Sequence, residues 1–183
     1  AGEVKHDYSK KLVFCAICVA LCVVLPMAFH ALGSGTVFLP MHVPVLLCGL
    51  VCTWPYGVVC GLLGPLLSSV LTGMPAMGYL PCMMVELGAY GLLCGLFMKF
   101  VRTGKIYADL CISLVGGLLI GRVIAGLFRA LIFSPGSYSL AAWATGYFVT
   151  CLPGLVIQLV LVPSIVFALM KARLVPMRYP AKH

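Results

Sequence analysis

Three ionisable side chains stand inside long apolar stretches: Glu86, Arg122 and Arg129. A charge at membrane depth is expensive, usually faces a protein interior or a wet cavity, and by default marks function. Arg122 and Arg129 are seven residues apart, so on a helix they share one face. At about 1.5 Å rise per residue, Arg129 lies ~6 Å and Arg122 ~16 Å below Phe133, and Glu86 lies ~7 Å below Pro81. Glu86 and Arg129 thus have similar depth, and either an ion pair between them or contact with a ligand accounts for both. Arg122 is left with no acidic partner in the apolar stretches. It calls for an anionic or strongly hydrogen-bonding ligand, or else for helix-end carbonyls.

Other polar side chains gather near the same end. His30 and His42 bracket a break in the apolar pattern. Two histidines alone make no metal site, so loop or ligand contacts are expected of them. Gln158 is the one carboxamide in a chain without Asn; it lines a cavity or bridges two helices. Tyr79, Tyr138, Trp143 and Tyr147 read as an interfacial aromatic belt, with stacking on a ligand as the other use. Catalysis is not expected. Ser68 and Ser69 have no His or Asp nearby in sequence, no Asp is expected to be buried, and an enzyme needs a nucleophile with its base or a metal set. No cofactor is implied. Of the ten cysteines, nine lie in apolar runs. Cys15-x-x-Cys18 has metal or redox spacing, but an apolar setting raises a thiol's pKa. The cysteines are read as small buried apolar residues, with no metal and no structural disulfide.

The elements that must hold these groups follow from composition. Of 183 residues, 63% are apolar and 9% charged, and the mean hydropathy is +1.16. That leaves too little polar surface for a water-soluble domain, where about a quarter of residues are charged. The expectation is one all-α integral membrane domain over 1–183. About 20 apolar residues cross a bilayer, and six helices are expected near 12–29, 38–54, 56–70, 82–100, 109–133 and 143–170. The second is short and takes residues from the preceding loop. The first follows Lys10 and Lys11 but is too long for a signal-peptide core and is read as retained.

The net charge is +8, from twelve Lys and Arg against four Asp and Glu. The basic residues flank apolar runs: Lys5, Lys10 and Lys11; Lys99, Arg102 and Lys105; Lys171, Arg173, Arg178 and Lys182. The breaks 30–42, 71–81 and 133–142 contain no Asp, Glu, Lys or Arg. Cytoplasmic flanks collect basic residues in this way, so both termini are expected in the cytoplasm, and nucleic acid is not a partner. Gly57/Gly61, Gly91/Gly95, Gly117/Gly121 and Ala16/Ala20 have the spacing of close helix packing. For the alanine pair, packing on another protein competes with packing inside the bundle.

Taken together, these features resemble the substrate-binding S components of energy-coupling factor (ECF) vitamin transporters. The resemblance rests on six helices in under 200 residues, on Ala16-x-x-x-Ala20 in the first helix, on the stretch from Phe38 to Gly49 followed by Gly57 and Gly61, and on Met84-Val-Glu86 and Gly121-Arg122. It implies a subunit of a bacterial plasma membrane that binds a vitamin or precursor from outside. It implies toppling when Ala16 and Ala20 dock on a transmembrane coupling subunit, with two cytoplasmic ATPases driving release. The chain has no Gly-x-x-x-x-Gly-Lys-Ser/Thr loop of its own. The resemblance places the ligand under the first outer loop, among the outer halves of helices 4, 5 and 6, where Glu86, Arg122, Arg129 and Gln158 fall. Two arginines against one glutamate favour an anionic ligand, pantothenate first and a cobalamin-related compound next. The competing reading is a stand-alone secondary transporter or channel for a small anionic metabolite.

Overall fold

The computed structural model describes residues 2–31, 41–73, 77–133, 135–150 and 152–172, and only the backbone at 2–7, His30 and Phe133. Among the described residues, seven helices follow one another: α1 (Gly2–Ala31), α2 (His42–Cys52), α3 (Trp54–Thr72), α4 (Leu80–Phe100), α5 (Ile106–Phe128), α6 (Leu140–Ala144) and α7 (Leu152–Lys171). A π-helical turn, Arg129–Phe133, prolongs α5, and another, Thr145–Val149, prolongs α6. No strand occurs among the described residues. Helices satisfy their backbone groups internally, which hydrocarbon demands.

Among the described residues, five helices are long and apolar enough to cross a membrane: Tyr8–Phe29, Trp54–Thr72, Leu80–Phe100, Ile106–Ile132 and Leu152–Lys171. The second and sixth expected spans take another form. The second begins at His42 and has eleven residues, about 17 Å long, too short for a ~30 Å core. Its surroundings give the reason. Nine of those residues are buried, and α1, α3, α4, α5 and α7 all pack against it. A helix enclosed by protein need not match lipid thickness. The sixth is divided into α6 and α7, with Thr150 in a turn between them. The residues before His42 that were expected to extend the second helix lie outside the described ones.

Neighbouring elements run antiparallel. Cys22 Sγ donates to the Met41 carbonyl and Cys52 Sγ to that of Lys11, both at 3.8 Å, which fixes α1 against α2. Gly57 meets Gly91 and Gly95 meets Trp54, which fixes α3 against α4. Gly117 meets Cys94 and Gly121 meets Tyr90, which fixes α4 against α5. Tyr107 stacks on Phe167 at 4.8 Å, so α7 returns along α5. Lys11, Lys99, Lys105 and Lys171 therefore share one end of the bundle, and Met41, Tyr79, Arg129 and Tyr138 the other.

The glycine pairs do the packing their spacing announced. A Cβ on Gly57, Gly61, Gly91 or Gly95 would collide with the backbone of the facing helix. Helices in lipid associate through such close approach. The α2–α3 junction is a single residue, Thr53, at φ 86 and ψ 172, a region nearly reserved for glycine. Gly95 leaves room for this tight corner. Cys15, Cys18, Cys22, Cys48, Cys52 and Cys60 form part of the buried core. Cys48 lies against Cys15, Cys18, Cys52 and Cys60, and the nine described cysteines are free thiols; Cys151 lies outside the described residues. On the opposite face of α1, Leu12, Val13, Ala16, Ile17, Ala20 and Val24 are exposed.

Overpacking a tight contact costs about 1–3 kcal/mol. Gly91→Ala is expected to lower the melting temperature in detergent clearly, whereas Gly78→Ala, with open space around it, leaves it near wild type. Equal melting of the two variants would contradict the α3–α4 packing described.

Candidate functional site

The carboxylate of Glu86 is buried on α4 and faces the start of α2. Its Oε1 accepts from the Tyr90 hydroxyl at 2.8 Å and pairs with His42 Nε2 at 3.0 Å. Glu86 and Tyr90 are four residues apart, so one helix face supplies both groups. Facing a carboxylate, His42 Nε2 carries the proton, which makes Nδ1 an acceptor in the neutral ring. Nδ1 is buried and has no partner among the described residues. The Glu86 carboxylate is thus hydrogen-bonded to His42 and Tyr90; the pairing with Arg129 that depth alone allowed is not formed. Rise per residue gives height but not angular position around the bundle, and α4 turns Glu86 toward α2.

Arg122 is 1% exposed on α5. Its Nη1 donates to the Tyr147 carbonyl at 2.6 Å. Tyr147 lies in the π turn after α6, where bonding is re-spaced, as in the 2.9 Å bond from Thr150 N–H to the Thr145 carbonyl. The rings of Tyr90, Tyr147 and Phe148 surround the guanidinium at 5.7, 5.7 and 5.6 Å, within range of cation–π attraction. The Arg122 carbonyl accepts from Trp143 Nε1 at 2.9 Å, and the indole fits because Gly126 has no Cβ. Trp143 therefore positions α6 on α5, with its polar atom engaged. Arg122 Nε and Nη2 are buried without a partner among the described residues. The helix carbonyl reading accounts for one of the three guanidinium nitrogens.

Arg129, seven residues on at the start of the π turn Arg129–Phe133, is half-buried among Tyr79, Tyr138 and Tyr147, at 4.6, 5.5 and 5.8 Å. Tyr147 is common to both arginine cages. Burial pushes the Tyr79 phenol up to about 12, so it stays a neutral ring under this cation. Gln158 is completely buried. It shares a face of α7 with Gly154, Val162 and Val166, and α7 packs on α2 and α5. Neither of its side-chain polar atoms has a partner among the described residues, and the same holds for the Tyr147 hydroxyl. Of the residues singled out, Glu86 with His42, and Arg122 with Arg129, Tyr79, Trp143 and Tyr147, are brought together in two linked groups. The His30 side chain lies outside the described residues.

Sequence reasoning missed Tyr90 and Phe148. Tyr90 had a signal in its four-residue spacing from Glu86. Tyr90 joins the two groups, since it bonds Glu86 and faces Arg122. The result is a buried set of donors and acceptors at the end of the bundle opposite the lysines. It has the chemistry of a receptor for a small polar molecule.

Residues 10–174 match the family model of the ECF transporter substrate-specific component. The chain belongs to this family. No curated protein and no solved structure matches it significantly. An ECF substrate-specific component is a multi-pass membrane protein that binds substrate for transport, which agrees with the five spanning helices and with the resemblance read in the sequence. Such components associate with an energising module of coupling subunit and ATPases.

A hydrogen bond to a charged group contributes about 1.5–3 kcal/mol. A double-mutant cycle with His42→Gln and Glu86→Gln, followed by thermal or denaturant unfolding, is expected to return a coupling of that order. Strictly additive effects would contradict the His42–Glu86 pair.

Proposed function

We propose that this ECF S component captures a small anionic vitamin or vitamin precursor, pantothenate first and a cobalamin-related compound second. The carrying observation is Arg122, a buried cation with two guanidinium nitrogens that have no partner among the described residues. A charge removed from water needs partners, and a ligand oxyanion supplies them. In this reading the site of Glu86, His42, Arg122, Arg129, Tyr79, Trp143, Tyr147 and Gln158 lies toward the outside. Six passes, with α2 as a short central one and α6–α7 as the last, leave both termini on the cytoplasmic side of a bacterial plasma membrane. The lysines at the opposite end of the bundle support that orientation.

Delivery follows docking. Ala16 and Ala20, exposed on α1, form the flat strip on which the coupling subunit seats, and the component topples when the two ATPases drive release. Larger side chains there would hold the helices apart.

The first test is a thermal-shift screen of the detergent-purified protein against B vitamins and their precursors. A ligand of the folded state at 100 times its Kd adds about 2.7 kcal/mol of stability, so one ligand should raise the melting temperature. Arg122→Gln should abolish that rise. Ala16→Leu/Ala20→Leu should keep binding but lose ATP-dependent uptake in cells. Uptake that persists in this double variant, or that needs no ECF module, would overturn the docking claim in favour of a stand-alone transporter.

A further inference from the structure

The unsatisfied atoms of the site have a pattern that specifies its ligand more closely than charge does. Arg122 uses Nη1 on the Tyr147 carbonyl. The two nitrogens left without partners among the described residues are Nε and Nη2. In a guanidinium the Nε–H points away from Cδ, on the same side as Nη2, so these two donors form one edge with parallel N–H bonds. That edge is the side-on face that takes both oxygens of a planar carboxylate. Its neighbours keep it in place: three rings cage the guanidinium, and the Tyr147 carbonyl fixes its rotation.

A second unfilled group also stands beside Tyr90. The His42 ring is 5.4 Å from the Tyr90 ring, and the Arg122 guanidinium is 5.7 Å from it. With Nε2–H given to Glu86, His42 offers Nδ1 as a lone pair, and Glu86 holds the ring in that tautomer. An acceptor here asks the ligand for a hydroxyl or amide N–H. The Tyr147 hydroxyl, also buried and unpartnered, is able to give or accept one further bond.

Resting on the reading of this chain as a vitamin-binding component, we infer that its ligand is a carboxylic acid. The carboxylate is held side-on by Arg122 Nε and Nη2, and a hydroxyl or amide N–H elsewhere in the molecule donates to His42 Nδ1. The site selects a carboxylate against the matching neutral amide or alcohol, because the neutral group leaves one Arg122 donor facing no charge. Sites that hydrogen-bond a defined polar group reject analogues lacking it far more strongly than apolar pockets reject a methylene.

The experiment uses the full chain in detergent and three matched probe pairs: pantothenate and panthenol, nicotinate and nicotinamide, biotin and biotinamide. Melting shifts and calorimetric titration are read for each. The expected result is binding of at least one acid, with its neutral partner weaker by 100-fold or more. Arg122→Lys keeps the positive charge but loses the two-donor edge, and should weaken the bound acid at least tenfold. Its unliganded melting temperature and its circular dichroism verify that it is folded. Arg102→Lys, exposed in the loop between α4 and α5 at the opposite end of the bundle, should bind within a few-fold of wild type. Equal binding of an acid and its neutral partner, or full affinity in a folded Arg122→Lys, would overturn this inference and leave the vitamin-binding reading standing. No response to any of the six probes would overturn both.

Discussion

Burying an unneutralised charge among apolar helices is the constraint around which this molecule is arranged. Water is excluded from the inside of the bundle, and the interaction energy of a charge there is several-fold larger than at a surface. Glu86 meets that demand with a histidine and a tyrosine hydroxyl. Arg129 meets it by standing half-buried against three tyrosines. Arg122 meets it in part, through one carbonyl and three ring faces. The deficit at Arg122, together with those at His42 Nδ1, the Tyr147 hydroxyl and Gln158 among the described residues, is the ground on which a binding site is proposed in place of a purely structural network. Tyr90 serves the acid on one side and the base on the other, and Tyr147 serves both arginines.

The helices can be understood as supports for that arrangement. The short α2 brings His42 to the centre because other helices enclose it and lipid does not set its length. Glycines on α3, α4 and α5 bring backbones into contact, which places Glu86, Tyr90 and Arg122 near one another at the junction of α2, α4 and α5. The π turns at Arg129–Phe133 and Thr145–Val149 depart from regular helix where the arginines meet the aromatic rings, and such turns are frequent at functional sites. The face of α1 away from the thiol core carries the small residues Ala16 and Ala20. The proposed ligand site and docking strip are thus on different elements, so in that reading a receptor role and a transport role can be separated by mutation.

Much of this arrangement could be read before any coordinates. Hydropathy and the clustering of lysines and arginines gave the membrane class and the polarity of the bundle. The scarcity of charge singled out Glu86 and Arg122, since so few ionisable residues stood in apolar runs. The small-residue spacing marked the contact faces of α3, α4 and α5. Angular position around the bundle was not accessible, because one helix carries its rise in its own sequence but not its rotation relative to neighbours. That is why Glu86 and Arg129 were plausible partners by height, and why His42, 44 residues away from Glu86, was not paired with it. The break between α6 and α7 was hidden as well. Both sides are apolar, and Pro153 signalled a bend without distinguishing a kink from an end.

The claim that Arg122 is kept for a ligand rather than for the fold has a direct measurement: the melting temperature of Arg122→Met in the absence of any ligand. Replacing a buried, incompletely paired charge by an apolar side chain of similar length is often neutral or stabilising, and functional sites commonly hold such unrealised stability. The account predicts an unliganded melting temperature equal to or above wild type, together with the loss of any ligand-induced rise. A large fall in the unliganded melting temperature would contradict it, since Arg122 would then be a structural donor to the Tyr147 carbonyl.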